Sequence, residues 1–125
     1  MKTIAPAAFI KRLAKAGREE QVIDAYQHLL GIEDLPRPFG CDGLADGTLF
    51  EFKLDKCMTR QDGLACLAQL CYYLRDLQRI GVYKGSHYPM PLRAAVCDRN
   101  EAMVMAVASL AEFFQSDRYD WARPA

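Results

Sequence analysis

The chain has no excess of charge of either sign: sixteen Lys and Arg balance sixteen Asp and Glu. A free-standing nucleic-acid binder ordinarily carries a basic surplus that releases counterions from phosphates, so this balance argues against strong intrinsic affinity for nucleic acid. It fits a weak binder, or a domain that relies on a neighbour to hold its substrate. No apolar run approaches the roughly 20 residues of a membrane span, and the opening Met1-Lys2-Thr3-Ile4-Ala5-Pro6 contains no apolar stretch of signal-peptide length. A cytoplasmic location is expected. The five cysteines agree with it: their number is odd, no Cys-x-x-Cys occurs, and Cys66 and Cys71 stand five apart, an unusual zinc spacing. His28 and His87 belong to no paired metal pattern either, so the cysteines read as buried free thiols acting as small hydrophobes. Repeats and low-complexity tracts are absent.

What is present is a soluble composition, 51% hydrophobic and 26% charged, in 125 residues, which is enough for one domain around one core. Basic residues cluster twice. Lys11, Arg12, Lys15 and Arg18 read as a solvated helix face, and Lys53, Lys56 and Arg60 follow the stretch described next.

That stretch runs from Gly40 to Leu54 and reads as a β-hairpin turning at Asp46-Gly47, since a two-residue type I′ turn needs positive φ at both central positions. Counting outwards, Ala45 faces Thr48, Leu44 faces Leu49, Gly43 faces Phe50 and Asp42 faces Glu51. Two carboxylates placed opposite each other lie about 5 Å apart at Cβ and destabilise a sheet. A divalent cation between them would offset the repulsion. Alternation puts Lys53 on the face of Glu51, with Phe50 and Phe52 pointing the other way into a core. Strands are expected over 39–44 and 48–54. Asp46 competes for the role of metal aspartate, but the turn explains it better.

Elsewhere the apolar spacing predicts a helix from Pro6 to about Ala16, an interruption at Gly17 that is either a kink or a break, and a second helix from Arg18 to Leu30 capped by Gly31. Pro36 and Pro38 exclude a helix interior from the connector. Leu64, Leu67, Ala68, Cys71, Leu74 and Leu77 form the buried stripe of a long helix over 60–80, with Gln69 and Tyr73 one turn apart on its edge. A short strand over 82–88, a buried strand over 92–97 and a helix from Glu101 to Phe114, capped by Asp98 or Asn100, complete the domain. Tyr119 and Trp121 in the tail suggest packing on this domain or on a following one.

Asp42 followed by Glu51-Phe52-Lys53 resembles the motif of the PD-(D/E)xK nucleases, with Cys41 standing where the motif has Pro. Gln69-x-x-x-Tyr73 on the next helix is similar to the additional motif of the RecB-like branch of that superfamily. The resemblance covers about residues 18–114. It implies an α/β fold with a restriction-endonuclease-like core, a mixed β-sheet flanked by helices in the order αβββαβα. It also implies Mg²⁺, or Mn²⁺ in its place, held by Asp42, Glu51, the Phe52 carbonyl and a first-helix glutamate, Glu19 before Glu20. The plain alternative for both glutamates is that they favour the positive end of a helix dipole. Lys53 would act on water or phosphate, Gln69 and Tyr73 would orient the substrate backbone, and Lys56 and Arg60 would contact substrate. The implied activity is DNA phosphodiester hydrolysis in restriction or repair. The implied partners are DNA and a fused or separate methyltransferase or helicase module, with a homodimer left open and the chain read as the N-terminal part of a longer protein. The alternative is an inactive nuclease-like domain that binds nucleic acid or protein.

Overall fold

Asp46 and Gly47 both adopt positive φ, 51° and 68°, so the hairpin closes as a two-residue turn. The computed structural model describes residues 1–55 and 60–118. Strands β1 (Gly43–Ala45) and β2 (Thr48–Phe52) pair in the register counted from the sequence: Ala45 with Thr48, Leu44 with Leu49, Gly43 with Phe50. Both strands are shorter than expected. Phe39 and Gly40 belong instead to a 3-10 turn (Pro38–Gly40), and a Cβ on Gly43 would come within 2.5 Å of the Leu35 side chain that crosses it.

The first thirty residues make two helices, α1 (Pro6–Lys15) and α2 (Glu19–Leu30). Ala16 is extended, and the Gln21 side-chain oxygen accepts the N–H groups of Gly17 at 2.7 Å and Arg18 at 3.2 Å, so Gly17 marks a true break. Gly31 ends α2 in the left-handed conformation that only glycine adopts without strain. After β2 come the long helix α3 (Arg60–Arg79), a separate two-stranded ribbon of β3 (Val82–Tyr83) and β4 (Ser86–His87), and then β5 (Arg93–Cys97).

The chain closes with β6 (Ala102–Ala106), a 3-10 turn (Val107–Leu110) and the short helix α4 (Ala111–Gln115), where a single helix over 101–114 was expected. The helical spacing of Met103, Val104, Val107 and Leu110 loses to the backbone of β5. Ala94 to Cys97 are almost wholly buried, and their outward N–H and C=O groups need partners that only another strand supplies. Asp98 caps no helix. Its carboxylate, 1% exposed, accepts the N–H groups of Asn100 at 2.7 Å and Glu101 at 2.8 Å and so forms the β5–β6 turn.

The sheet order is β1-β2-β5-β6, with β2 parallel to β5 and the other pairs antiparallel. The expected mixed sheet with helices on both faces is therefore present. The order αβββαβα is not, because no third strand forms between the hairpin and α3 among the described residues, and a strand replaces most of the last helix. On one face Phe50 and Phe52 stack 5.4 Å apart and pack with Tyr26 and Val22 of α2. On the other, Leu49 and Val96 meet Leu70, Leu74 and Cys71 of α3, and Phe114 of α4. No helix among the described residues is long and apolar enough to cross a membrane.

Bonds from Val107 N–H to the Leu92 carbonyl and from Asp98 N–H to the Glu101 carbonyl fix the alternation along β6. Met103 and Met105 bond to β5, while the backbone groups of Ala102, Val104 and Ala106 face the open edge. Met105→Pro should therefore lower the unfolding free energy by about 3 kcal/mol. Val104→Pro, whose lost N–H bonds to no strand among the described residues, should lower it by no more than about a third of that. Urea denaturation of the two variants checks the register.

Candidate active site

Four elements converge at the C-terminal end of β2, on the sheet face covered by α3. Ladder pairing of the hairpin stops at Gly43, and there the Asp42 carboxylate takes over, accepting the Phe52 N–H at 2.8 Å. That bond holds Asp42 against Glu51. Glu51 is 4% exposed, and its carboxylate lies within hydrogen-bonding range of Asp42 and 3.2 Å from the Lys53 ammonium. The three residues expected to share a site from the hairpin register do share one.

Burial, then the neighbouring Asp42 charge, push the Glu51 carboxyl up to about 7, further than Lys53 can pull it back. Burial alone would lower Lys53, but Glu51 outweighs it and the ammonium is held charged. Both pKa values rise, but a rise favours the charged form of Lys53 and disfavours that of Glu51, which is more deeply buried and faces a second carboxylate. The site is thus short of positive charge.

The break at Gly17 puts Glu19 in the first turn of α2. Its pKa is raised by partial burial and then by Asp42, although the side chain is largely in solvent, and Lys53 acts on it in the opposite sense. Glu20 instead lines a surface groove with Arg12, Lys15 and Asp24, so Glu19 is the helix carboxylate at the site. What places it is a clasp by Arg99, which sequence reasoning did not find. The guanidinium donates to the Asp55 carboxylate just after β2 and, at 2.8 Å, to the Ala16 carbonyl at the helix break. Nothing local in Asp98-Arg99-Asn100 signals that reach.

From α3, the Tyr73 hydroxyl donates to the Gly40 carbonyl at 3.2 Å. Burial first, then Glu51 and Asp42, push this phenol up to about 12, which keeps it a neutral donor. Cys66 interacts electrostatically with Lys53 and Glu51. Gln69 lies between Cys66 and Tyr73 on the same stripe of the helix, and its buried Oε1 has no hydrogen-bond partner among the described residues. Arg37 was also missed: its charge acts on Glu19 and on Cys41, whose thiol burial pushes up to about 12. Cys41, Cys66, Cys71 and Cys97 are free and buried, as expected, while Cys57 lies outside the described residues. So do Lys56 and the side chain of Arg60, along with Tyr119 and Trp121. Asp46 stays with the turn, its carbonyl accepting from Arg93 at 2.8 Å.

Among the described residues no group of three or more His, Cys, Asp or Glu stands close enough to form a ready-made metal cage. The pair Asp42 and Glu51, with Glu19 in electrostatic range, suits a cation of another habit. Mg²⁺ takes one or two carboxylates and leaves the rest of its shell to water and substrate. Compared with family models, with curated proteins and with solved structures, the chain matches none, so the case for function rests on this geometry.

A Glu51 pKa of about 7 in the fold against 4.5 unfolded means that the native state binds the proton more tightly. Its contribution is complete below the unfolded value and is lost as pH rises through the folded one. Between about pH 4.5 and pH 8, the metal-free protein should lose on the order of 3 kcal/mol that Glu51→Gln keeps. Parallel urea titrations across that range test it, and equal pH profiles would contradict it.

Proposed function

We propose that the chain is a metal-dependent nuclease that hydrolyses DNA phosphodiester bonds, in restriction or repair. One observation carries the reading. A buried glutamate is pressed against an aspartate and paired with a lysine at the end of one hairpin, an arrangement that raises the Glu51 pKa and so works against the metal-free fold at neutral pH. Groups whose pKa is shifted by burial together with a specific charge partner cluster at sites that bind cations and phosphates, which supports the reading. Asp42, Glu51 and the Phe52 carbonyl would hold Mg²⁺, with Glu19 as a further carboxylate and Mn²⁺ an acceptable substitute. Bound there, the cation supplies charge neutralisation at the phosphate and acidifies a water. Lys53 holds its proton and presents it as a donor to the charge that develops on the phosphate oxygens. Tyr73 fixes the Gly40 carbonyl and with it the approach to Asp42, and Gln69 offers an amide on the same helix face. The zero net charge supports a domain whose substrate is also held by a neighbouring module or a second copy.

A nicking assay on supercoiled and linear DNA, with Mg²⁺ or Mn²⁺, tests the reading. Cleavage is expected, lost in EDTA and reduced by at least about a hundredfold in Glu51→Ala and Lys53→Ala. Thermal melting separates the alternatives, since a ligand that binds only the native state must raise Tm. No cleavage, with Mg²⁺ still raising Tm in wild type but not in Glu51→Ala, would leave a metal-binding domain that needs its partner. Neither cleavage nor stabilisation would leave the inactive binding module.

A further inference from the structure

An open pocket of about 350 Å³ is lined by Phe39, Gly40, Tyr72, Asp76, Ile80 and Tyr83. Three of its six lining residues are aromatic. The Phe39 and Tyr83 rings meet with centroids 5.1 Å apart, and Tyr72 stands edge-on to Tyr73 at 5.5 Å. Phe39, Tyr72 and Tyr83 all keep part of their surface in solvent. Phe39 is held at φ 60°, a left-handed conformation that a bulky side chain adopts only under constraint. Tyr83 belongs to the β3–β4 ribbon, which joins no other strand among the described residues and turns at Lys84 and Gly85 with φ 49° and 83°. Lys84 carries its ammonium 5.4 Å from the Tyr83 ring centroid.

We infer that this pocket receives an unpaired nucleobase of the substrate, beside the phosphate placed at Asp42 and Glu51. The inference rests on the nuclease reading and deepens it. A base is flat and uncharged, and its faces stack favourably on aromatic rings whatever the sequence. The Asp76 carboxylate in the lining disfavours a phosphate inside, whereas Lys84, next to the lining residue Tyr83, suits a phosphate passing outside. Tyr73 links pocket and site, since its hydroxyl bonds the carbonyl of Gly40, two residues before Asp42. A paired duplex keeps its bases stacked inside, so the substrate class is DNA with an unpaired stretch: a single strand, a frayed end or a flap.

Binding decides this separately from cleavage. An oligonucleotide carrying 2-aminopurine, alone or annealed to its complement, is titrated with the protein in Ca²⁺, which neutralises the carboxylates. The single strand should bind about tenfold more tightly than the duplex, with its fluorescence quenched by stacking. Tyr83→Leu should remove about tenfold of that affinity and the quenching, Tyr83→Phe should restore both, and duplex binding should not change. Should Tyr83→Leu fail to fold, Lys84→Glu on the exposed turn should weaken single-strand binding by a similar factor. Equal binding of single strand and duplex, absence of binding, or variants that bind like wild type would each overturn the inference. Mg²⁺ is then added to read cleavage. Tyr83-dependent binding with neither cutting nor a rise in Tm on adding Mg²⁺ would sink the nuclease reading and leave the pocket standing. Cutting of both substrates at rates unaffected by Tyr83→Leu would do the reverse.

Discussion

The bond from the Phe52 N–H to the Asp42 carboxylate is the point on which the site depends. A hairpin ladder carried one step further would give that N–H a backbone carbonyl. Here the connector crosses β1 at Gly43, where Leu35 leaves no room for a side chain, and a carboxylate replaces the next ladder bond. The exchange satisfies a buried donor and at the same moment presses Asp42 against Glu51. Without it Asp42 would be a loop aspartate with a choice of positions.

A second constraint is the packing that keeps Glu51 where it is. Every residue of β2 is buried, and the strand lies between β1 and β5 with a core on each face. Glu51 cannot relax into solvent without pulling Leu49 from one core or Phe50 and Phe52 from the other. The raised carboxyl is therefore a strain imposed by well-packed neighbours, with Lys53 as a partial remedy. Arg99 completes the frame by tying the helix break at Ala16 to Asp55, so that Glu19 and Lys53 are held on facing elements. The core sets the site, and the site strains the core.

Much of this was legible in the chain. Asp46-Gly47 fixed the register, and counting from it placed Asp42, Glu51 and Lys53 together and sent Phe50 and Phe52 to the opposite face, because a turn of known length leaves no freedom in a strand of period two. The spacing of apolar residues likewise marked α2, α3 and β5. The stretch from 101 to 114 was misread because its apolar residues fit a helix as well as they fit β6 plus a turn. No local pattern records that β5 has an unpaired edge to fill.

The sequence by itself determined the short-range features: the hairpin and its register, the helix stop at Gly31, and the choice of carboxylates and lysine that face one another. Backbone conformation and a spacing of two or 3.6 residues decide these, and both are written in neighbouring residues. Only the tertiary structure decided the rest. It turned 102–106 into an edge strand, brought Glu19 within electrostatic range of Asp42 and Lys53, brought Arg99 to Asp55 and Ala16, and set Phe39 against Tyr83 beside Gly40. Those outcomes depend on which buried backbone groups lack partners and on which elements the two cores bring together, and such demands come from residues far away in the chain.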